Sequence, residues 1–315
     1  MNNINIAFLD ASTIGKVKAI DKIKSAGNYK SYELTKPEER IDRIKGNQVI
    51  ITNKVIIDKE IMDACPDLKL ICISATGMNN VDLDYAGKKG IIVKNVAGYS
   101  TESVAQSTFS MLLGLLNNIV YYDRYVKSGE YAKSPIFTHQ GRSYYELKGK
   151  QFGIIGLGTI GKRVAEIATA FGCKVVYFST SGKNMDASYP HLSFDEMLTS
   201  SDIISIHCPL NDKTQNLFDY EQFKQMKSSA ILLNAGRGKI VNETGLANAL
   251  NDNLIAAAGL DVLEFEPIKA TNPLLRLKNP EKLLITPHIA WISDESREKL
   301  VEGVYNNITE WIKMS

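Results

Sequence analysis

The sequence contains few cysteines and no excess of charge of either sign. Its 315 residues include four cysteines, and Lys+Arg 37 against Asp+Glu 35 gives a formal net charge of +2 at pH 7. No CxxC pair occurs, and Cys65, Cys72, Cys173 and Cys208 each lie in or beside an apolar segment. We therefore expect reduced thiols, with neither a disulfide nor a metal site. Because the charge is nearly balanced and lacks a dense basic block, a nucleic-acid partner is not expected.

Long apolar runs are also missing. The chain opens on the strand-like segment 4–9, without the basic start and cleavage region of a signal peptide, and no apolar run reaches membrane-spanning length. We therefore expect a cytoplasmic protein with no membrane partner. The hydrophobic content of 44% allows a large core, and the length favours two domains.

A glycine-rich segment near the middle of the chain is the most informative motif. Segment 151–161, QFGIIGLGTIG, has the pattern of a buried strand, a turn containing Gly156 and Gly158, and a helix that begins near Gly161. The first two glycines allow a tight turn and the close approach of a phosphate, and the third lets the helix pack on the strand. The helix N-terminus would then face the phosphates. The motif predicts a dinucleotide-binding domain and thus a dehydrogenase.

Short apolar segments alternate with helix-like segments, which is typical of parallel α/β sheets. Strands are predicted before residue 100 at 4–9, 48–52, 68–73 and 91–94. A long helix is predicted from Ser100 toward Val126. About six strands should then build the second sheet, at 151–155, 173–178, 202–206, 230–233, 256–260 and 283–286.

The end of the chain predicts a discontinuous first domain. Segment 293–312 carries Leu300, Val304, Ile308 and Trp311 on one helical face, which is typical of a docking surface. We expect this helix to return to the first domain. The predicted fold is a doubly wound Rossmann sheet at 100–289, inserted into a smaller flavodoxin-like α/β substrate domain formed by 1–99 and 290–315, with the active site in the cleft between them.

Three predicted strand ends each carry a polar residue with useful chemistry. Arg237 lies between two glycines and can offer a bidentate guanidinium to a carboxylate. Glu266 lies in an acidic turn closed by Pro267, and His288 is one of four histidines. Each residue alone has an ordinary structural explanation. Together, downstream of a dinucleotide turn, they predict the groups that reduction of a 2-keto acid requires. Arg237 would bind the carboxylate of the substrate, His288 would donate a proton, and Glu266 would tune His288.

These motifs resemble the D-isomer-specific 2-hydroxyacid dehydrogenases over nearly the whole chain. Agreement in order and spacing extends over the linker, arginine, glutamate and histidine segments at 146–150, 234–241, 261–267 and 287–291. The resemblance implies that a nicotinamide delivers hydride to the keto carbon while His288 protonates the developing alkoxide. It further implies that Glu266 orients His288 and favours its protonated form, and that Arg237 binds the substrate carboxylate.

The resemblance also implies further contacts. The backbone of Thr76 and Gly77 would meet the substrate carboxylate. Apart from the resemblance, the position of Trp291 directly after segment 288–290 predicts that it narrows the substrate pocket if its side chain points inward. Thr159 and Ile160 would lie at the pyrophosphate. The glycine turn itself predicts Gly156, Gly158 and Gly161 as cofactor-binding residues. The resemblance further implies Cys208 and Pro209 beside the adenosine, Ala235 near the nicotinamide ribose and Asp261 at the carboxamide, and Gly236 and His288 complete the predicted cofactor-binding set. His207 is expected to be structural, and His139 and His191 to be solvated without partners.

One position departs from the pattern of NAD-binding enzymes. An acidic residue should follow the second strand, about 20 residues past the glycine turn, to hold the ribose hydroxyls. Ser179 occupies that place, Thr180 and Lys183 follow it, and no carboxylate occurs before Asp186. A 2′-phosphate would meet no repulsion there, so NAD(P) is expected with a modest preference for NADP. The open alternative is that Ser179 tolerates NADH with weaker affinity.

The substrate is expected to be a small 2-keto or 2-hydroxy acid. Segments 288–291 and 75–80 are most similar to glycerate dehydrogenases, also called hydroxypyruvate reductases, which implies hydroxypyruvate and glyoxylate as substrates. The alternatives are a D-lactate or branched 2-hydroxyacid dehydrogenase and, from a different class, a dinucleotide-sensing protein similar to corepressors related to the family. The resemblance further implies a homodimer formed through the cofactor domains.

Overall fold

The computed structural model describes residues 4–183 and 185–314. These residues form two compact units, one within Met1–Ser100 and Ile292–Ser315 and the other within Thr101–Trp291. The strands are β1 (Asn5–Phe8), β2 (Asn28–Ser31), β3 (Val49–Thr52), β4 (Leu70–Ile73), β5 (Ile92–Lys94), β6 (Gln151–Ile155), β7 (Lys174–Phe178), β8 (Ile203–Ile206), β9 (Ile231–Asn234), β10 (Ala257–Leu260) and β11 (Leu283–Ile285). The α-helices are α1 (Ile20–Ser25), α2 (Arg40–Ile44), α3 (Lys59–Ala64), α4 (Leu83–Lys88), α5 (Thr101–Leu116), α6 (Ile119–Lys127), α7 (Thr159–Ala170), α8 (Phe194–Ser200), α9 (Tyr220–Gln225), α10 (Glu243–Asn251) and α11 (Asp294–Met314).

The first unit contains a parallel sheet in the order β2-β1-β3-β4-β5, which is the flavodoxin-like strand order. The last helix, α11, packs against α1 and β4 of this unit. Its apolar stripe of Leu300, Val304, Ile308 and Trp311 is buried. The periodic apolar residues therefore pack the C-terminal helix onto a sheet formed by the first hundred residues.

Two features of the chain differ from the sequence prediction. Strand β2 was not predicted, because its residues NYKS are mostly exposed and polar at an edge of the sheet, where the strand pairs with β1 alone. The long helix predicted from Ser100 toward Val126 is wrong, since it is divided into α5 and α6. Asn118 adopts a left-handed conformation with φ 52° between them, which a continuous helix does not allow.

The second unit contains all six predicted strands, in the order β11-β10-β9-β8-β6-β7, and all pairs are parallel. Beyond β7, His191 forms a single parallel bridge with Tyr177. With this bridge counted as the third strand, the order bridge-β7-β6-β8-β9-β10 is the 3-2-1-4-5-6 order of a Rossmann sheet. Strand β11 continues the sheet beyond β10. The predicted fold class, two parallel α/β sheets with a Rossmann cofactor domain, is confirmed.

Helices cover both faces of the second sheet. On one face Phe109 of α5 stacks on Phe152 of β6 with 5.9 Å between ring centroids, beside Val164 of α7. On the other face Phe223 and Leu246 lie in a separate cluster of buried apolar side chains. Because the strands are parallel, the segments that follow them emerge at one edge of the sheet, where ligands of such folds bind.

The four cysteines are free and buried. Burial raises the pKa of the Cys173 thiol to about 11 and that of Cys208 to about 12. These thiols therefore stay protonated and act as small apolar side chains. In the part of the chain that the structure describes, no helix combines the length and the apolar character needed to cross a membrane.

Candidate active site

The glycine turn after β6 has the steric properties that a dinucleotide requires. Gly156 has φ +91°, and a Cβ there would lie 2.8 Å from the backbone of Cys208. A Cβ on Gly161 would lie 2.3 Å from the carbonyl oxygen of Gly156. At Gly158, in contrast, a Cβ would meet no described atom within 4 Å, so the packing of the protein itself does not require glycine at this position. The open space at Gly158 fits the close approach of a phosphate group.

The N-terminus of α7 provides the donors for such a group. Gly158 is the N-cap and has no side-chain cap, and the first helical bond runs from the N–H of Lys162 to the carbonyl of Gly158 at 2.8 Å. The N–H groups of the first turn, including those of Thr159 and Ile160, precede this bond and have no intrahelical acceptor. Together with the helix dipole they favour an anion. A cavity of about 780 Å³ adjoins this turn and is lined by Gly158, Thr159, Lys162 and Lys183, among others.

The end of β7 carries a hydroxyl in place of a carboxylate. Ser179 follows the last residue of β7 and is buried, and Thr180 is half-buried. The first downstream carboxylate, Asp186, lies 2.8 Å from Lys162 Nζ and accepts a bond from the Ser188 N–H. These partners, Lys162 first, lower the pKa of Asp186 to about 2. Within residues 4–183 and 185–314, no carboxylate forms an ion pair with Lys183.

Arg237 lies in a braced turn after β9. The fully buried side chain of Asn234 accepts a bond from the Gly236 N–H and donates one to the Arg237 carbonyl, both at 3.0 Å. Arg237 Nη1 donates to the Gly236 carbonyl at 2.8 Å. No described carboxylate lies within ion-pair distance of this guanidinium. Its remaining N–H groups are therefore available to an anionic ligand.

The predicted carboxylate and imidazole are in contact. His288 Nδ1 lies 2.7 Å from Glu266 Oε2, and their side chains are 25% and 34% exposed. The second oxygen of Glu266 accepts a bond from the Leu263 N–H at 2.9 Å. Because Glu266 engages Nδ1, the Nε2 atom of His288 is the ring nitrogen that can exchange a proton with a ligand.

The backbone at His288 is in an uncommon conformation, and Asp261 holds it. His288 has φ +56°, which is rare for a residue other than glycine. The buried carboxylate of Asp261 accepts bonds from Thr286 Oγ1, the Ile289 N–H and the Ala290 N–H at 2.6, 2.8 and 2.9 Å. Burial raises the pKa of Asp261. Asp261 therefore supports the histidine loop, a role that the sequence did not indicate, while its predicted contact with a carboxamide stays a prediction.

The loop after β4, in the first unit, leaves backbone donors open. Thr76 Oγ1 donates to the Val96 carbonyl at 3.2 Å, and Asn95 Nδ2 donates to the Thr76 carbonyl at 2.6 Å. The N–H groups of Thr76 and Gly77 have no acceptor among the described residues. These are the two donors predicted to bind a substrate carboxylate.

Three further predicted residues follow strands of the second sheet at the edge that carries the glycine turn. Cys208 is buried, Pro209 is exposed, and Ala235 is half-buried. Trp291 is half-buried, at the end of the second unit. The assignment of these residues to cofactor or substrate stays a prediction.

The structure corrects the expectation that His139 and His191 have no partners. His139 Nε2 lies 2.9 Å from Tyr121 Oη, and its ring stacks on Tyr125 with 3.8 Å between centroids. His191 contacts the ring of Tyr177 at 5.1 Å, because it forms the strand-like bridge beside β7.

His207 lies 2.8 Å from Ser205 through Nε2, and burial lowers its pKa to about 4. A neutral histidine bonded to a buried serine fits the structural role that was predicted for it.

A Rossmann sheet whose glycine turn fits a pyrophosphate, with an arginine and an imidazole–carboxylate pair at the same edge, defines a dinucleotide-dependent oxidoreductase. Residues 109–290 match the family model of the D-isomer specific 2-hydroxyacid dehydrogenase, NAD binding domain. The chain belongs to the D-isomer-specific 2-hydroxyacid dehydrogenase family.

Individual relatives cover nearly the whole chain. A hydroxypyruvate reductase of Blautia hydrogenotrophica is 38% identical over 302 residues, which are 95% of this chain and 92% of the relative. The solved structure of the acyclic imino acid reductase Bsp5 in complex with NADPH and D-Arg is 29% identical, with a TM-score of 0.89 over 99% of this chain and 98% of that one. A D-lactate dehydrogenase of Aquifex aeolicus, solved with NAD and lactic acid, is 29% identical, with a TM-score of 0.85 over 98% and 96%.

Proposed function

We propose that the protein reduces hydroxypyruvate and glyoxylate to D-glycerate and glycolate, and catalyses the reverse oxidations. The observation that carries this proposal is the 2.7 Å contact between His288 and Glu266, at the sheet edge where Arg237 presents a guanidinium without a carboxylate partner among the described residues. The similarity to a hydroxypyruvate reductase over 95% of the chain supports the choice of substrate.

Each of these residues has a distinct proposed role. A nicotinamide dinucleotide bound at the glycine turn would supply the hydride. Arg237 binds the substrate carboxylate in bidentate fashion and polarises the neighbouring carbonyl. His288 gives the proton on Nε2 to the carbonyl oxygen, and in oxidation the same atom accepts the hydroxyl proton. Glu266 stays a carboxylate and keeps the ring oriented through Nδ1. The N–H groups of Thr76 and Gly77 are proposed as further donors to the carboxylate, and Trp291 as a wall of the substrate pocket.

A series of keto acids tests the choice of substrate. With the reduced dinucleotide, kcat/KM is expected to be highest for hydroxypyruvate and glyoxylate and lower for pyruvate and 2-ketoisocaproate. The opposite order would favour a D-lactate or branched 2-hydroxyacid dehydrogenase. Dinucleotide binding without turnover of any of them would favour a dinucleotide-sensing protein.

We propose that the cofactor is NADP in preference to NAD. Ser179 stands where a carboxylate would repel a 2′-phosphate, and Lys183 has no ion-pair partner in the described ranges. The carboxylate of Asp186 is neutralised by Lys162. An NADPH complex is described for the imino acid reductase, a related protein of the same fold.

Replacing Ser179 with aspartate is expected to move the preference toward NADH. The new carboxylate would bind the ribose hydroxyls of NADH and repel the phosphate of NADPH, so the ratio of kcat/KM for NADPH to that for NADH should fall by about tenfold or more. Ser179→Asn, which adds similar bulk without charge, is the matched control. An unchanged ratio in Ser179→Asp would contradict the proposal.

We also propose a homodimer and a cytoplasmic location. Segment 119–144 carries several exposed apolar side chains, and Phe137 is 90% exposed, a pattern that marks interaction surfaces. Sedimentation equilibrium is expected to give twice the chain mass of 34.9 kDa, and Phe137→Asp is expected to shift it toward the monomer. A wild-type protein that sediments at the monomer mass at micromolar concentration would contradict the dimer.

The proposed cytoplasmic location is supported by the four free thiols, which are typical of a protein in a reducing compartment.

A further inference from the structure

Glu243 is a buried carboxylate outside the predicted set of catalytic residues. It is the first residue of α10 and is 8% exposed. Its Oε1 accepts a bond from the backbone N–H of Glu264 at 2.7 Å, and its Oε2 accepts one from Asn272 Nδ2 at 2.6 Å. Asn272 Oδ1 in turn accepts a bond from the Leu274 N–H at 2.9 Å. A carboxylate is stable in such a place only when its oxygens are well bonded.

These bonds fix one peptide group beside the candidate active site. A Cβ on Gly238 would lie 1.9 Å from the carbonyl carbon of Leu263, so the turn that carries Arg237 packs directly on the Leu263–Glu264 peptide. Glu243 binds the N–H of the same peptide. The N–H of Leu263 binds Glu266 Oε1 at 2.9 Å. The glutamate turn is therefore clamped between α10 and the arginine turn.

We infer that Glu243 is a positioning residue that acts through Glu266 on His288. It does not need to touch the substrate or cofactor. The inference rests on the proposed function, because it assigns the Glu266–His288 pair as the proton-transfer apparatus. Glu264 and Phe265 of the turn are exposed, so packing alone restrains the turn weakly. Since proton transfer depends on geometry within a few tenths of an ångström, a looser turn should lower the rate without abolishing binding.

The bonding pattern allows a test in which Glu243 and Asn272 exchange their carboxylate and amide groups. In Glu243→Gln, the new NH₂ group must face either the Glu264 N–H or Asn272 Nδ2, and both are donors. Asn272 cannot reverse its amide without losing the bond from Leu274. Asn272→Asp alone would place two carboxylates together. The double variant Glu243→Gln/Asn272→Asp restores each donor–acceptor pair, because the glutamine NH₂ can donate to the aspartate while its oxygen accepts from the Glu264 N–H.

The expected result is impairment in each single variant and recovery in the double variant. In Glu243→Gln, kcat for hydroxypyruvate reduction should fall by about tenfold, with the Kd of the reduced dinucleotide changed less than about twofold. Weaker support of His288 by Glu266 disfavours the protonated ring, so the alkaline limb of the kcat/KM profile should move to lower pH. The double variant should recover kcat to within about threefold of wild type, together with the original pH limb.

A control variant distinguishes the positioning role of Glu243 from a general loss of stability. An NMR titration then tests that role independently of the proposed catalytic activity. Glu221→Gln removes an exposed carboxylate from α9 of the same unit and should leave kcat and the pH limb unchanged. The NMR titration of the His288 ring in the free protein reports the same change without any substrate. A shifted titration in Glu243→Gln with an inactive wild type would support the positioning role and refute the proposed activity. An unshifted titration and pH limb, with only a lower Tm, would overturn the inference.

Discussion

The variant His288→Ala is expected to lose about 10³-fold in kcat for hydroxypyruvate reduction, because it removes the imidazole that is proposed to supply the proton to the carbonyl oxygen. His288 Nδ1 is engaged by Glu266 at 2.7 Å, so the lost function is that of Nε2. The Kd of the reduced dinucleotide is expected to change by less than about tenfold, since the glycine turn and the N-terminus of α7 remain intact.

A matched histidine variant controls for nonspecific damage. His191→Ala removes a ring that contacts Tyr177 and Phe178 beside the outer strand β7. The kcat of this variant is expected to stay near that of wild type. Full turnover by His288→Ala would show that another group donates the proton. Loss of dinucleotide binding in step with turnover would assign His288 to cofactor binding in place of proton transfer.

The second large effect is expected at Arg237. Arg237→Gln should lower kcat/KM for hydroxypyruvate by about 10³-fold, because it removes the charge and the paired donors that a carboxylate requires. Arg237→Lys keeps the charge but offers a single ammonium, so its loss should be smaller, about 10²-fold. Steady-state kinetics over a range of keto acid concentrations measures both variants.

A neutral substrate analogue distinguishes carboxylate binding from other roles of Arg237. The methyl ester of hydroxypyruvate has no carboxylate, so Arg237→Gln should lose much less kcat/KM with the ester than with the acid, and the remaining loss measures the polarisation of the carbonyl. An equal loss for the acid and the ester would indicate that Arg237 does not bind the carboxylate and acts on the carbonyl or on the fold of the turn, where Asn234 binds its carbonyl.

The sequence was sufficient to predict the second sheet and the proximity of His288 and Glu266. Each of its strands is a short apolar run, and a parallel order brings residues that follow different strands to one edge. His288 and Glu266 could therefore be expected near each other although they lie 22 positions apart. The polar edge strand β2 could not be predicted. Its residues are mostly exposed and have no apolar pattern, and only their pairing with β1 makes them a strand.

The supporting residues could not be predicted, since their roles depend on tertiary contacts. Glu243 reaches the Glu264 N–H across 21 positions, and Asp261 reaches the loop of His288 across as many as 29. In the sequence Glu243 looks like an ordinary acidic residue at the start of a helix, and Asp261, just after a strand, shows no sign of its bonds to the histidine loop. The φ of +56° at His288 is equally invisible, because histidine carries no preference for that conformation strong enough to indicate it.

Transfer of deuterium from the reduced dinucleotide to the product is the decisive measurement of the proposed reaction. The wild-type protein is incubated with hydroxypyruvate and reduced dinucleotide that carries deuterium at the transferable C4 position, and the product is analysed for label and configuration. We expect D-glycerate with the deuterium at C2. The L product, glycerate without deuterium, or no glycerate despite dinucleotide binding would contradict the proposed reaction.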